Sequence, residues 1–403
     1  MKKDDFYRDA RTDLTGPLHG VTVVETTTTW AGPMAACVLA DLGARVIKVE
    51  MPGGEVARSL PPFIPESPLT IANETVNRNK ESLTLDLHQQ QAKNILFQLI
   101  EEADIFVENF RPGTLAGWGL GYQDLKAVKN DIIYVSISGF GQYGPLSDRV
   151  AYDPLAQSYG GWASLNGEPE GGPTKAPTYL GDDLAGLHGA LGAMAALRHR
   201  DQTGEGQHVD VALVDSIMFQ SNGFPTAGAL DVPIPRTGNQ FAIAAPVNIY
   251  PAANGNVFAG VLLDAHWKLL AAELGREDLS ELSAVERITQ RDTVDTPLAE
   301  YCAARTVEDV VDRFAELGIP ATRVHEMGDL HSQPHIQARD MLVPTRLSDN
   351  NEVPLTAPPV KFSRTPTQIR NAAPSLGAQN PKILESLGYD ADAIAALQHE
   401  GII

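Results

Sequence analysis

The chain has 403 residues, with 31 Lys and Arg against 51 Asp and Glu, a formal net charge of −20 with histidine neutral. That acidity excludes a nucleic-acid partner, because binding a polyanion needs a basic face from which counterions are released. Hydrophobic residues at 43% and charged residues at 20% exclude a disordered or collagen-like chain, and at roughly 100–200 residues per domain the length predicts one large domain with a smaller one.

Residues 1–16, MKKDDFYRDARTDLTG, are charged and lack the apolar core of a secretory signal, and no run of about 18 apolar residues follows, so no membrane association is expected. Residues 21–25 (VTVVE) predict a strand, Gly32-Pro33 a break, 34–42 (MAACVLADL) a helix and 45–50 (RVIKVE) a second strand. The β-α-β pattern returns with a strand at 83–87 (LTLDL), a helix at 90–102 carrying Ile95, Leu96, Leu99 and Ile100 at helical spacing, and strands at 104–108 (DIFVE) and 131–138 (DIIYVSIS). Such alternation with short connections predicts an α/β fold, a mostly parallel sheet covered by helices, with ligands beyond the carboxyl ends of the strands.

Residues 183–199 place Leu184, Leu187, Leu191 and Met194 on one stripe and read as a buried helix; 203–207 (TGEGQ) is a turn, 209–213 a strand and 214–223 a helix. Residues 224–240, rich in Pro and Gly, read as a linker after a large domain at 1–223. A small domain at 241–330 contains a hairpin at 248–261 turned at Asn254-Gly255, helices around 266–275 and 306–317, and a strand at 321–326. Residues 331–403, with Pro354, Pro358, Pro359 and Pro366 and a closing helix at 391–398, return to complete the large domain.

Cys37 and Cys302 form neither a CxxC motif nor a disulfide framework, which makes a reducing cytoplasm the expected location. His188 and His199 are no ligand pair, no metal site is read, and GxSxG and HExxH are absent. Gly139-Phe140-Gly141-Gln142-Tyr143-Gly144 satisfies GxGxxG after a strand, but Pro145 and polar residues follow where a dinucleotide fingerprint needs a helix to open. It reads as a glycine-rich turn whose N–H groups can still face a ligand. Residues 179–186 (YLGDDLAG) put two carboxylates, Asp182 and Asp183, at the start of a largely apolar helix. Asp is a preferred N-cap, favoured by free N–H groups and the helix dipole, and this explains one of the two.

With these residues in view the chain resembles the class III CoA-transferase family, whose relatives include formyl-CoA:oxalate CoA-transferase, the carnitine CoA-transferases and the alpha-methylacyl-CoA racemases. The matching blocks run in order through AGP (31–33), LADLGARVIKVE (39–50), NRNKESLTLDL (77–87), ADIFVENFRPG (103–113), ISGFGQYGP (137–145), YDPLAQ (152–157), GDDLAG (181–186), VDVALVDS (209–216), GIPATRV (318–324) and LTAPPVKFS (355–363). The resemblance implies a large Rossmann-like domain plus a smaller α+β domain, in an interlocked homodimer. It also implies CoA thioesters as substrates, with no tightly bound cofactor.

In this family the Asp of the GD-x-x-x-G block is the nucleophile, which makes Asp182 the catalytic residue. A helix N-terminus is expected to keep it ionised near neutral pH, with nearby glycine amides as oxyanion donors. The racemases pair this Asp with a His, and Tyr152 stands there; tyrosine is a weak acid and a poor proton acceptor, which favours transfer over isomerisation. Asp153 matches an acidic residue near the transferases' site, and reads equally as a turn residue before Pro154. The formyl-CoA enzyme has a Gln where Trp30 stands and a mobile tetraglycine loop where this chain has FAIAAPVNIY (241–250). The expected acceptor is therefore not oxalate but a bulkier, partly apolar acid placed by Trp30 and Phe241; succinyl-CoA is a candidate donor that no residue selects.

For the CoA phosphates the cationic candidates are Lys48, Arg58, Arg78, Lys80, Arg111 and Arg149. The NRNK and ENFRPG blocks favour Asn77, Arg78, Lys80, Asn109, Phe110 and Arg111. A further Arg of the transferases is Gly117 here, which leaves Arg149 to replace it. The other readings are a racemase-type isomerase and a CoA-binding subunit of a hetero-oligomer; the intact GDDLAG block speaks against an inactive subunit.

Overall fold

A computed structural model describes residues 1–403. Six parallel strands form the central sheet: β1 (Thr22–Thr26), β2 (Arg45–Glu50), β3 (Lys80–Thr84), β4 (Ile105–Glu108), β5 (Ile133–Ser138) and β6 (His208–Ala212), in the order β3-β2-β1-β4-β5-β6. This is the doubly wound order of a Rossmann-like sheet, whose reversal point lies between β1 and β4. Alternate residues of each strand feed two cores. Val24, Ile47, Phe106 and Tyr134 meet Ile95, Leu96, Leu99 and Ile100 of the helix Gln90–Glu102 on one face. Val23, Val46, Ile105, Val107 and Ile137 meet the helices Ala31–Asp41 and Leu180–Thr203 on the other. Each fully buried Leu or Ile contributes roughly 1.5–3 kcal/mol.

The segments near the site differ instructively from the sequence reading. The helix after β1 begins at Ala31, before Gly32-Pro33, because a proline in the first turn gives up an N–H that has no helical partner there. β3 covers Lys80–Thr84 and not 83–87, since its ladder with β2 runs from Val46 opposite Lys80 to Glu50 opposite Thr84 and stops where β2 stops. The long helix extends to Leu180–Thr203, so Asp182 and Asp183 lie within its first turn. Small residues let it lie close: a Cβ on Gly186 would come within 3.0 Å of the Ala31 carbonyl oxygen, and one on Gly189 within 2.8 Å of Ile137 Cδ1.

The chain divides into two compact units. The first comprises Met1–Trp162, Lys175–Thr226 and His335–Ile403. The C-terminal stretch closes one face of its sheet, with Ile383, Leu384, Ile394 and Leu397 in the core and Asn380 accepting the Thr84 N–H at 2.9 Å. It also holds a two-stranded hairpin, β10 (Leu342–Arg346) and β11 (Glu352–Thr356), which the sequence reading lacks because Pro344 and Pro354 argue against strands; they sit opposite each other in the pair. The second unit comprises Ala163–Thr174 and Ala227–Pro334, so 163–174 belongs to it although the sequence reading runs the large domain through to 223. It contains the antiparallel sheet β7 (Val247–Ala252), β8 (Gly255–Gly260) and β9 (Ala321–Arg323) around Trp267, Tyr250 and Phe314, and Phe241 lies in it. The segment 224–240 is not all linker, since Phe224–Ala229 is helical. No helix is long and apolar enough to cross a membrane.

Candidate active site

Beyond the carboxyl ends of β1, β4 and β5, the first unit has a cleft of about 380 Å³. It is lined by Thr28, Thr29, Trp30 and Ala31 after β1, by Asn109, Phe110, Arg111 and Pro112 after β4, and by Ile137, Ser138 and Gly139 of and after β5. Arg149, Tyr152 and Asp182 also line it, with Val56, Val150, Ala151 and Leu213. Gly139 to Gly144 form a loop with no helix behind it, with positive φ at Gly141 and Gly144.

The Asp182 carboxylate makes no hydrogen bond and no ion pair, although it sits in the first turn of Leu180–Thr203. Burial, together with the like charges of Asp153 and Asp183, pushes its pKa up to about 7. This reverses the expectation that the helix terminus keeps it fully ionised: the dipole is worth at most about 1–2 kcal/mol, and burial with two neighbouring carboxylates outweighs it.

Asp153, 2% exposed, opens the helix Asp153–Tyr159 and does not line the cleft. Its Oδ1 accepts the Gly181 N–H at 2.7 Å and its Oδ2 accepts Gln157 Nε2 at 2.8 Å. Tyr152, at the cleft wall, is 68% exposed. Trp30 faces the cleft while its indole Nε1–H donates to Asp183 Oδ1 at 2.6 Å.

The proposed CoA contacts separate into two groups. Phe110, Arg111 and Arg149 line the cleft, Arg111 donating to the Asp148 carbonyl and Arg149 engaging no other side chain. Asn109 also lines it and ties the two loops together, accepting the Thr28 N–H at 2.9 Å and donating to the Thr28 carbonyl at 2.8 Å. Asn77, Arg78 and Lys80 are buried and do not reach it. Arg78 forks onto Asp41, at 2.6 Å for the shorter contact; Asn77 donates to Asn73 and Glu55; Lys80 pairs with Glu25 at 2.6 Å and donates to the Pro33 carbonyl at 2.9 Å.

Lys48, a cationic candidate for the CoA phosphates in the sequence reading, does not line the cleft and instead holds one of its loops from inside the protein. Lys48, with its side chain fully buried in β2, donates to the Thr27 carbonyl at 3.0 Å and pairs with Glu55 at 3.4 Å. Glu55 in turn accepts the Thr29 N–H at 2.9 Å. Burial alone would raise the Glu55 pKa, but Lys48 and the N–H groups of Ala57 and Thr29 hold it below the usual carboxylate range. The network fixes the loop that carries Trp30, with Thr29 at φ +70°. A lysine among the apolar residues of RVIKVE was the available signal.

A first-turn carboxylate facing a cleft with arginines on its wall is an arrangement suited to acyl chemistry on an anionic substrate. The family model for CoA-transferase family III matches residues 18–380. The chain belongs to CoA-transferase family III. The succinyl-CoA:mesaconate CoA-transferase of Haloarcula marismortui is 33% identical over 388 residues, 93% of this chain and 97% of that protein. The beta subunit of the succinyl-CoA–L-malate CoA-transferase of Chloroflexus aurantiacus is 34% identical over 405 residues, 97% of this chain and 99% of that one. The crystal structure of a CaiB/BaiF family protein from Brucella suis has a TM-score of 0.82 at 30% identity, covering 93% of this chain and 100% of that chain. The family III enzyme is therefore a CoA-transferase acting on CoA thioesters, and its α/β architecture is that of its structural neighbours.

Proposed function

We propose that this CoA-transferase moves CoA from succinyl-CoA to a partly apolar carboxylic acid, with Asp182 as nucleophile. The supporting observation is the unpartnered Asp182 carboxylate, open to a cleft whose wall carries Arg111 and Arg149. An Asp182 oxygen attacks the thioester carbon; the C–S bond breaks, leaving a succinyl-aspartyl anhydride and CoA thiolate. The thiolate attacks the Asp182 carbonyl and expels succinate, which gives an aspartyl-CoA thioester. The acceptor carboxylate attacks that thioester and releases the thiolate again. Attack of the thiolate on the acceptor's acyl carbon forms the new thioester and restores the Asp182 carboxylate. One difficult exchange becomes four acyl transfers.

The donor is chosen because succinyl-CoA stands in the names of both relatives, and Trp30 at the cleft argues for apolar character in the acceptor. Arg111, Arg149, Asn109 and Phe110 take the nucleotide end of CoA, against an overall charge of −20. Asn77, Arg78 and Lys80 act through the loops they hold. The working assembly is an interlocked homodimer; the subunit naming of the Chloroflexus relative makes a hetero-oligomer the second case to examine.

The test is to incubate the protein with succinyl-CoA, quench without nucleophile, and weigh the intact chain and its Asp182 peptide. Acyl or CoA mass on Asp182, absent from Asp182→Asn, is the expected result. CoA binding without an adduct from any of several acyl-CoA donors rejects Asp182 as nucleophile and turns attention to the CoA-binding subunit.

A further inference from the structure

We infer that Asp183 is a positioning residue that fixes Trp30 as the apolar wall beside Asp182, so that the enzyme selects acceptor acids with alkyl substituents over those with a hydroxyl at the same carbon. The inference rests on the reading of Asp182 as nucleophile. Asp183 follows the nucleophile directly, yet it does not line the cleft and caps no helix N–H; the Gly181 N–H is taken by Asp153. Its one side-chain hydrogen bond is the 2.6 Å contact from the Trp30 indole. Holding a second carboxylate beside Asp182 is electrostatically unfavourable, and burial with the neighbouring Asp153 charge raises the Asp183 pKa even though the Trp30 bond opposes this. A residue kept at that cost with a single partner is there for the partner.

Trp30 is held from two further sides. Its ring meets Tyr179 edge-on, with centroids 5.0 Å apart, and its backbone follows the Thr29 N–H that Glu55 accepts. With Nε1 engaged by Asp183, the indole has no polar atom left to offer, and what it presents to the cleft is ring carbon. An acceptor hydroxyl placed against it loses water and gains no partner, whereas a methyl group is accommodated. Discrimination of this kind in an apolar subsite amounts to about 10–100-fold.

The test uses 2-methylsuccinate and L-malate, which exchange a methyl for a hydroxyl on C2, as acceptors with succinyl-CoA as donor. Wild type should favour 2-methylsuccinate by about 10–100-fold in kcat/KM. Asp183→Asn retains an oxygen acceptor for the indole and should keep that ratio within about threefold, whereas Asp183→Ala should bring it below about 3, through KM for the acceptor more than through kcat. Asp183→Leu, of similar shape and unable to accept, serves should the alanine variant not fold. A wild-type ratio at or below one, turnover with neither acid, or an unchanged ratio in the folded Ala or Leu variant overturns the inference. A normal Asp182 adduct alongside an unchanged ratio would sink this inference alone, and a missing adduct in wild type would sink the nucleophile reading instead.

Discussion

Asp153 accepts the backbone N–H of Gly181 at 2.7 Å, which places a buried carboxylate at the head of the helix that carries Asp182 one residue later. The contact does two things: it satisfies an orphan donor of the first turn, and it sets a negative charge beside the proposed nucleophile Asp182. The two effects separate by substitution. Asp153→Asn keeps an acceptor and removes the charge, so the acid limb of the rate profile should move to lower pH with little change in melting temperature. Asp153→Ala also loses the hydrogen bond and should unfold about 1–2 kcal/mol more easily in urea.

The rate should depend on pH through Asp182 itself. In the proposed mechanism the attacking species is the carboxylate, and with the pKa pushed up to about 7 the rate should climb close to tenfold per pH unit below that value and level off above it. Glu108, buried at the end of β4, is also pushed up to about 7 by burial, so it must be told apart. Glu108→Gln should leave the limb in place; a limb that disappears in that variant would assign it to Glu108.

Stability carries the same signature with a definite sign. With its pKa pushed up to about 7 by burial and its acidic neighbours, Asp182 keeps its proton to higher pH in the folded protein than in the unfolded chain, where it ionises near 3.8. Between those values the folded state binds more protons, so this group lowers stability as pH rises through the window and its penalty is complete above about 7. Asp182→Asn removes the penalty. Urea unfolding should show the variant more stable than wild type by about 1–3 kcal/mol at pH 8 after allowance for partial exposure, with a smaller gain at pH 5.

The arginines at the cleft and the buried Arg78 should behave in opposite ways. Arg111→Ala and Arg149→Ala should each raise KM for succinyl-CoA about 5–30-fold with kcat little changed, and the effect should weaken with added salt. Arg78→Ala strips Asp41 of its guanidinium partner inside the protein and should cost about 3–5 kcal/mol in unfolding experiments. An Arg78→Ala protein with wild-type stability and a specific KM defect would return that residue to the binding role the sequence suggested.

Much of this enzyme was legible in its sequence because the relevant signals are local. Apolar spacing marked the helix 90–102 to the residue, and alternating strands and helices announced a parallel sheet, since burial on one face imposes a period along the chain. The two aspartates at 182 and 183 were recognisable at a helix start because the helix dipole favours acidic residues in the first turn, although neither caps an N–H. What the sequence could not decide was which side of the fold each charge occupies. Arg78 and Arg111 are the same residue type in equally suggestive blocks, but Arg78 finds Asp41 in the interior, 37 positions away, while Arg111 reaches the cleft. Asp182 becomes a high-pKa carboxylate because folding buries it and sets Asp153 and Asp183 beside it, and Trp30 becomes an apolar wall only through Asp183, 153 positions along the chain. Charge and hydrogen bonding act through space over a few ångströms, so residues far apart in sequence acquire these properties only when the sheet and its helices bring them together.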